Sequence, residues 1–188
     1  LNGASVESGG YIVQRALNIG AAEVEGIDLQ TSYQLSVPGA WGALRFSLNG
    51  AYLIATTTTP FEGAHTYDCA GLFGSTCQTV NPRWRHNLRT SWLTPWNVDV
   101  NVTWRDLAHV NLDQNDSDET LQFAKYGEYN TFNARIASHS YVDLSATWSA
   151  TDKIQMRVGV NNLLDKDPPI VTSDLVSGGA ANTYEFYD

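Results

Sequence analysis

The stretch Tyr141-Val142-Asp143-Leu144-Ser145-Ala146-Thr147-Trp148 alternates strictly between polar and apolar side chains. In an extended chain, successive side chains point to opposite faces, so every second residue shares a face. This stretch therefore predicts a β-strand with one apolar face, which ends in Trp148, and one polar face.

The same period of two recurs along the chain. It is found in residues 27–35, 44–54, 84–92, 98–105 and 154–161, and in a weaker form in 11–17. Together these segments predict an all-β fold of about seven strands without helices. No stretch approaches the roughly 18 unbroken apolar residues of a transmembrane helix. That excludes helical spans only, because membrane strands alternate and need just about ten residues.

The connections between these strands differ in length. Residues 37–42, 94–97 and 149–152 form tight turns, whereas 57–80 and 110–139 are long and polar, and a third long segment begins near Asp165. Short turns that alternate with long loops predict an antiparallel up-and-down meander. Bacterial outer-membrane barrels show this asymmetry, with short periplasmic turns and long extracellular loops.

Four tryptophans lie in or near the short turns: Trp41, Trp92, Trp96 and Trp148. A ring of aromatic residues at one end of the strands is expected where lipid tails meet head groups. The alternative is the core of a soluble β-sandwich, but such a core does not collect its tryptophans at one end. The meander is therefore interpreted as part of a larger transmembrane β-barrel.

Charged side chains occupy the polar faces in mid-strand. They are Arg85, Arg89, Asp99, Arg105 and Arg157. Facing lipid at the bilayer midplane, an arginine costs about 2–4 kcal/mol, whereas it costs little in a wet lumen. We expect these side chains to face the lumen. A soluble antiparallel sheet with one solvated face has the same alternation, so that alternative stays open on the pattern alone.

The composition fits a polar but weakly charged β-structure. Charged residues are only 16% of the chain, against about 25% in soluble domains, while six residues are Trp and nine are Tyr. The net charge is 11 − 20 = −9. A negative protein is a poor partner for nucleic acid, whose phosphates bind Lys and Arg.

Two cysteines, Cys69 and Cys77, lie in a stretch rich in Gly and Thr. In an oxidising compartment such a pair predicts a disulfide that closes one loop. The alternative is two free thiols in a cytosolic loop. No His or Cys spacing nearby suits a metal ion.

The sequence contains no motif for a metal site, a nucleotide site or a catalytic serine. The histidines are dispersed, without HExxH or a pair four residues apart, so no metal site is expected. Neither a nucleotide-binding glycine loop nor a GxSxG elbow is present, and no cofactor is expected. Residues 113–119 are acidic but lack the central glycine of a calcium loop, and Ala124 stands where its last ligand belongs. We expect a solvated acidic loop there.

Three stretches resemble TonB-dependent outer-membrane receptors. Residues 18–29 contain Glu23-Val24-Glu25-Gly26-Ile27-Asp28, which is similar to a strand opening in the C-terminal half of that barrel. Residues 81–89, Asn-Pro-Arg-Trp-Arg-His-Asn-Leu-Arg, resemble another strand opening, which in some members follows a loop with a cysteine pair. Residues 158–169, which contain Gly-Val-Asn-Asn-Leu-Leu-Asp-Lys-Asp-Pro-Pro, resemble the region of the penultimate strands.

The resemblance implies a piece of a transport receptor. Residues 1–188 would be a partial barrel domain, and the family's N-terminal plug and closing strand are absent from it. Such receptors lie in the outer membrane of Gram-negative bacteria, contact its lipid, and import siderophores, cobalamin or oligosaccharides. They are driven through an N-terminal segment by the TonB energy-transducing system. They perform no covalent chemistry, so no catalytic residues are expected.

Ligand in this family binds at extracellular loops, and four loop residues are candidate contacts: His65, Tyr67, Tyr126 and Tyr129. Aromatic side chains can stack on sugars or aromatic chelators, although loop tyrosines often only pack. Two other functions remain open. One is a small stand-alone outer-membrane pore or adhesin, and the other is a soluble carbohydrate-binding β-sandwich.

Overall fold

The computed structural model describes residues 20–121, 131 and 134–171. Its strands in chain order are β1 (Ala21–Ser36), β2 (Ala43–Thr59), β3 (Tyr67–Asp68), β4 (Leu72–Phe73), β5 (Trp84–Leu93), β6 (Val98–Leu107), β7 (Val110–Leu112), β8 (Arg135–Ile136), β9 (His139–Thr151) and β10 (Ile154–Val160). The helical structure among these residues is a single 3-10 turn, Asp113–Asn115. Within the described ranges, no helix has the length and apolar character needed to cross a membrane, and this concerns helices alone.

The long strands form one seven-stranded antiparallel sheet in the order β1-β2-β5-β6-β9-β10, with the short β3 paired to β2. Neighbours in the sheet are also neighbours along the chain, apart from the short strands of the loops. The predicted all-β, antiparallel up-and-down meander is confirmed. β1 and β10 lie at the two edges of the described sheet, which is therefore not closed on itself. The strand interpreted in residues 11–17 lies outside the described residues.

The short turns close the sheet at one end. The Val37 N–H donates to the Gly42 carbonyl at 2.9 Å, and the Thr94 N–H donates to the Val98 carbonyl at 3.2 Å. The Thr94 hydroxyl also donates to that Val98 carbonyl at 2.6 Å. Asn97 adopts a φ of 57°, which asparagine tolerates better than most residues. Local hydrogen bonds thus fix these hairpins, as their sequences predict.

At the other end of the sheet, the long connections fold into a compact unit, which we call the cap: residues 60–83, 108–121 and 134–138. Its second sheet pairs β4 with β7 in parallel and β7 with β8 antiparallel. A hydrophobic cluster fills it, formed by Phe73, Val80, Val110, Leu112, Ile136, Tyr141 and Val171. The cap is therefore more ordered than its polar sequence suggests.

The buried core of the described residues lies in the cap rather than on the main sheet. The largest fully buried side chains are Phe73, Leu112, Leu121, Val110 and Asp113. By contrast, the apolar face of the sheet is open: Ile27 is 59% exposed, Tyr33 63% and Val158 70%. A soluble domain buries such a face, so its exposure calls for a different environment.

One expectation for the cap is wrong at a single residue, Asp113. Residues 113–119 were expected to form a solvated acidic loop, but Asp113 is fully buried, with an exposed fraction of 0%. Its carboxylate accepts hydrogen bonds from the backbone N–H groups of Thr76 and Cys77 at 2.8 and 2.9 Å. These donors come from the other loop, so the sequence around Asp113 does not reveal them.

Candidate functional site

The strand register gathers the polar side chains on one face of the main sheet. Residues opposite each other on paired strands point to the same side. Arg85 opposes Leu107, and Arg89 opposes Thr103, two residues before Arg105. Asp99 opposes Thr147, which opposes Arg157. The structure thus places all five charged residues singled out from the sequence on this polar face.

Near the short turns, the polar side chains bind one another. Arg45 donates to Gln34 Oε1 from Nε and Nη2, at 3.3 and 3.1 Å. Arg89 donates to Asn101 Oδ1 from the same two nitrogens, at 3.2 and 2.9 Å. The Ser91 hydroxyl donates to the same oxygen at 2.6 Å. Guanidinium and amide groups here satisfy each other across strands.

Arg105 is held in a similar way. It donates to both carboxylate oxygens of Asp143, at 3.1 and 3.3 Å. Its guanidinium carbon lies 5.4 Å from the centre of the Tyr141 ring, within the range of a cation–π contact. Asp143 also accepts the Asn162 N–H at 2.8 Å. A bidentate pair of this kind fixes both side chains.

Another part of the polar face carries side chains that are not bonded to one another. Five side chains form a continuous group, which we call the open patch: Asp28, Gln30, Asn49, Arg85 and Asn87. Gln30 opposes Asn49, which opposes Asn87, while Asp28 and Arg85 lie on either side of Ala51. All five are exposed. Within the described residues, none of these side chains has a hydrogen bond or an ion pair.

The open patch surrounds a cavity of about 520 Å³, to which Arg105 and Tyr141 also contribute. A second cavity, of about 670 Å³, shares Asp28, Ala51 and Arg85 with the first and continues beneath the cap. Its other walls combine the apolar Val24, Leu53, Val80 and Pro82 with the polar Thr56, Thr79 and Asn81. The two cavities therefore adjoin along the polar face.

The opposite face of the sheet carries aromatic side chains near the short turns. The Trp41 and Trp96 rings are 5.8 Å apart and the Trp92 and Trp96 rings 6.0 Å, both edge to face. The Trp92 ring N–H donates to the Trp41 carbonyl at 2.9 Å. Trp148 opposes Val98, beside this group, and is 47% exposed. The tryptophans singled out from the sequence thus lie together at the turn end.

A second aromatic group lies at the cap end of the same face, and it was not predicted from the sequence. Trp84 opposes Tyr52, and the Trp84 ring N–H donates to His86 Nδ1 at 2.9 Å. The His86 ring meets that of Trp104 edge to face at 4.6 Å. Gly50 permits this packing, since a Cβ there would lie 2.5 Å from the Trp84 ring. The signal was present in the sequence, because these aromatics all precede or follow a long loop.

The cysteines of the cap form a disulfide, with an S–S distance of 2.04 Å between Cys69 and Cys77. The loop that it closes provides the two N–H groups that bind Asp113. Gly74 lies directly against this carboxylate, because a Cβ there would be 2.0 Å from Asp113 Oδ1. The disulfide loop and the Asp113 segment are therefore joined through a buried charge.

Comparison with known protein families agrees with this architecture. The family model described as "TonB dependent receptor-like, beta-barrel" matches residues 2–163 of the 188. The chain belongs to the TonB-dependent receptor β-barrel family. This is a family of outer-membrane receptors and transporters rather than enzymes. No curated protein and no solved structure matches the chain.

The loop residues expected to contact ligand in a TonB-dependent receptor have different environments. His65 is exposed on the cap. Tyr67 is partly buried in β3, packed against a cluster of Cys69, Leu72 and Leu121, which is a structural role. Tyr126 and Tyr129 lie outside the described residues. The two described candidates, His65 and Tyr67, thus have different environments.

The remaining acidic residues of the cap do not form a metal centre. Among the described residues, no three His, Cys, Asp or Glu side chains are grouped so that they could hold a metal ion. Asp118 instead caps a turn. The Thr120 hydroxyl and N–H donate to Asp118 Oδ1 at 2.6 and 2.9 Å. These bonds, with a smaller contribution from His65, hold the pKa of Asp118 below its ordinary value.

Proposed function

We propose that residues 1–188 form a partial barrel domain, one section of the transmembrane wall of a transport receptor in the outer membrane of a Gram-negative bacterium. The receptor takes up a small nutrient molecule, of the class of siderophores, cobalamin or oligosaccharides. Its energy comes from the TonB system, which acts on an N-terminal part of the receptor outside this chain. The chain itself provides wall and loops and catalyses no reaction.

The observation that carries this proposal is an exposed apolar face with an aromatic belt at each end. On β5 the belts are marked by Trp84 and Trp92, which are 92 − 84 = 8 residues apart. At about 3.3 Å per residue and a tilt of about 40°, that separation corresponds to roughly 20 Å of height. The apolar band of an outer-membrane barrel is about 25 Å tall, so the two distances agree.

Above the cap-end belt, the same outward positions become acidic. On β1 the outward side chains pass from Ile27, which opposes Tyr52, to Glu25 and Glu23. The register shifts between Glu25 and Gly26, which marks a β-bulge in the pairing with β2. This change supports a boundary between lipid tails and the aqueous side of the membrane at that level.

The polar face is the lumenal face in this proposal. Arg85, Arg89, Asp99, Arg105 and Arg157 then meet water, where an ionised group carries little cost. Rotated toward lipid, each midplane arginine costs about 2–4 kcal/mol. The position of the cap supports the same orientation of the sheet. Tyr141 belongs to the hydrophobic cluster of the cap and Leu107 packs against it, and both side chains lie on the polar face. The loops thus fold inward over the lumen.

The rival functions fit these observations less well. A soluble carbohydrate-binding sandwich needs a second sheet over the apolar face, yet the second sheet of the described chain packs at the polar side, in the cap. A small stand-alone pore or adhesin barrel needs its edge strands to meet. β1 and β10 stand at opposite edges of the described sheet.

Orientation in intact cells tests the proposal. Single cysteines are placed at Glu62 in the cap and at Asp152 in a short turn, both exposed. The native cysteines are paired and do not compete. A membrane-impermeant maleimide should label Glu62→Cys in intact cells, and Asp152→Cys only after the outer membrane is permeabilised. Labelling of both in intact cells, or the reverse order, contradicts the proposal. The unsubstituted protein is the control for background.

A further inference from the structure

We infer that residues 162–171, which we call the strap, fasten the cap to the main sheet through the contacts of Asp143 with Arg105 and Asn162, which we call the clamp. Arg105 is the positioning residue of the clamp, because it fixes the carboxylate that holds the strap. A continuous series of contacts leads from the polar face of the sheet through the strap to the buried core of the cap. None of these contacts depends on which face of the sheet meets lipid, so the strap stands apart from the proposed function.

The first attachment of the strap is the clamp itself. Arg105 donates to both carboxylate oxygens of Asp143, at 3.1 and 3.3 Å, and the Asn162 N–H donates to Asp143 Oδ1 at 2.8 Å. Asn162 lies two residues after Val160, the last residue of β10. A carboxylate that accepts from both a guanidinium and a backbone N–H is held in one orientation, because such charge-assisted bonds are the stronger kind. Arg105 thereby determines where the strap begins.

The strap begins with a turn that one of its own side chains closes. Asn162 donates from Nδ2 to the Lys166 carbonyl and accepts the Lys166 N–H at Oδ1, both at 3.0 Å. The Asp165 N–H donates to the Asn162 carbonyl at 2.9 Å. Asn162 and Asp165 adopt φ values of 51° and 48°, in a region where asparagine and aspartate are enriched among residues other than glycine. The turn is therefore a defined structure, and its position follows that of Asn162.

The second attachment of the strap is in the core of the cap. Val171 is 5% exposed and belongs to the hydrophobic cluster that also contains Phe73 and Ile136. Pro168 and Pro169 stand between the turn and Val171, and their rings fix φ and reduce the freedom of the backbone. Because a stiff segment transmits a displacement of one end to the other, loss of the first attachment should loosen the second.

Arg105 also contacts the core of the cap by a second route. Its guanidinium carbon lies 5.4 Å from the centre of the Tyr141 ring, and Tyr141 is itself a buried member of the cluster. Arg105 lines the cavity of about 520 Å³ on the polar face, and its side chain is 36% exposed. One side chain thus joins this cavity, the strap and the core of the cap. The routes through Asp143 and through Tyr141 are separable by experiment.

Hydrogen exchange in the whole protein encoded by the gene, purified in detergent, tests the clamp. Arg105→Met keeps much of the bulk of the side chain and removes its hydrogen-bond donors. We expect amide exchange in residues 162–167 and 110–112 to become about tenfold faster, because Asp143 loses the charged bonds that orient it. Arg89→Met is the matched control, since Arg89 also makes two side-chain hydrogen bonds to a neighbouring strand. It should leave exchange in both segments unchanged.

A double-variant cycle separates the two routes. Asn162→Ala opens the turn of the strap without changing Arg105, and it should also speed exchange in residues 110–112. If both residues act through the clamp, adding Asn162→Ala to Arg105→Met causes little further increase. If Arg105 acts through Tyr141 instead, the two increases multiply, and the clamp is wrong. Asn161→Ala, at an exposed neighbour outside the turn, is the control for Asn162→Ala and should have no effect.

Two further results would overturn the role of Arg105. One is equal exchange of residues 162–167 in Arg105→Met and Arg89→Met, since the strap would then not depend on the clamp. The other is that Arg105→Met speeds exchange in residues 44–48 of β2 as much as in the strap, which would mean a general loss of stability of the sheet. Faster exchange confined to the strap and the cap supports the clamp.

Discussion

At the scale of the residue, Asp113 joins two segments of the cap. It is a fully buried carboxylate whose Oδ2 accepts N–H groups from Thr76 and Cys77. Its Oδ1 has no hydrogen-bond partner among the described residues. A buried charge of this kind is tolerated only while its bonds persist, because an unsatisfied buried group costs about 1–3 kcal/mol or more.

Replacing Asp113 tests this role. Asp113→Ala leaves the Thr76 and Cys77 N–H groups buried without an acceptor, so we expect the cap to lose about 2–4 kcal/mol of local stability. Hydrogen exchange of the amides in residues 69–83 measures it. The neighbouring Gln114→Ala removes only an exposed bond to Ser75, of 3.0 Å, and should have little effect. Equal exchange in the two variants would contradict this role.

Asp118 gives a prediction about pH. Its pKa is lowered by the Thr120 hydroxyl, by the Thr120 N–H and, less strongly, by His65, against a small opposing effect of burial. A lowered pKa stabilises the folded turn above the unfolded value of 3.8, and this stability is lost as pH falls through the folded-state pKa. Thr120→Val should raise the pKa of Asp118 toward 3.8 without reaching it, because the backbone bond remains.

The carboxyl chemical shift of Asp118, followed by NMR through the acid range, measures this change. Ser117→Ala is the control, since Ser117 is exposed and makes no hydrogen bond to Asp118 among the described contacts. An unchanged titration in Thr120→Val would mean that the hydroxyl does not act on the carboxylate.

At the scale of the element, the disulfide shapes the cap rather than the sheet. The bond between Cys69 and Cys77 spans a sequence separation of 8 residues. For a loop of this length, the loss of chain entropy in the unfolded state corresponds to about 2.5 kcal/mol. The Cys69→Ser, Cys77→Ser double variant should therefore loosen residues 60–83 and leave the main sheet intact.

Limited proteolysis and far-UV circular dichroism together measure this effect. We expect faster cleavage within residues 60–83 and an unchanged β-sheet spectrum. Ser75→Ala, inside the same loop, keeps the disulfide and serves as the control. Loss of the sheet signal would contradict the separation of cap and wall, and unchanged cleavage would show that the disulfide is dispensable for the cap.

The long strands were predictable because each has one apolar face and one polar face, so its residues alternate in the sequence. Alternation in 84–92 and 98–105 predicted β5 (Trp84–Leu93) and β6 (Val98–Leu107) to within two residues. Strands of two or three residues, such as β4 and β8, are too short to show a period. They form because the hydrophobic cluster around Phe73 and Leu112 joins distant loops, and no local pattern encodes that.

The sequence predicted which face of the sheet carries the polar site, but not which of its side chains are bonded to one another. Alternation identified the side of the sheet on which Arg85, Arg89 and Arg105 lie. It could not tell that Arg89 and Arg105 are bonded while Arg85 is available, because this depends on which residue the register places opposite each one. The open patch is a consequence of Ala51 and Leu107 standing beside Arg85.

At the scale of the whole molecule, the main sheet exposes the apolar face that a soluble protein would bury. Among the described residues, most of the buried apolar side chains lie in the cap, while the sheet exposes aliphatic residues between two aromatic belts. In the proposed receptor, lipid supplies the environment that this face requires, and the polar face borders a lumen partly covered by the cap. The family assignment and the geometry of the sheet agree in this respect.

The measurement that tests this account most directly is the accessibility of spin labels along β6 in the reconstituted protein. Nitroxides at Val100 and Val102 should collide with oxygen dissolved in lipid, and those at Asp99 and Thr103 with a water-soluble nickel chelate, so that the two profiles alternate out of phase. If labels at Val100 and Val102 collide with neither oxygen nor the nickel chelate, the apolar face is packed against protein. The interpretation of the sheet as a transmembrane wall would then be wrong.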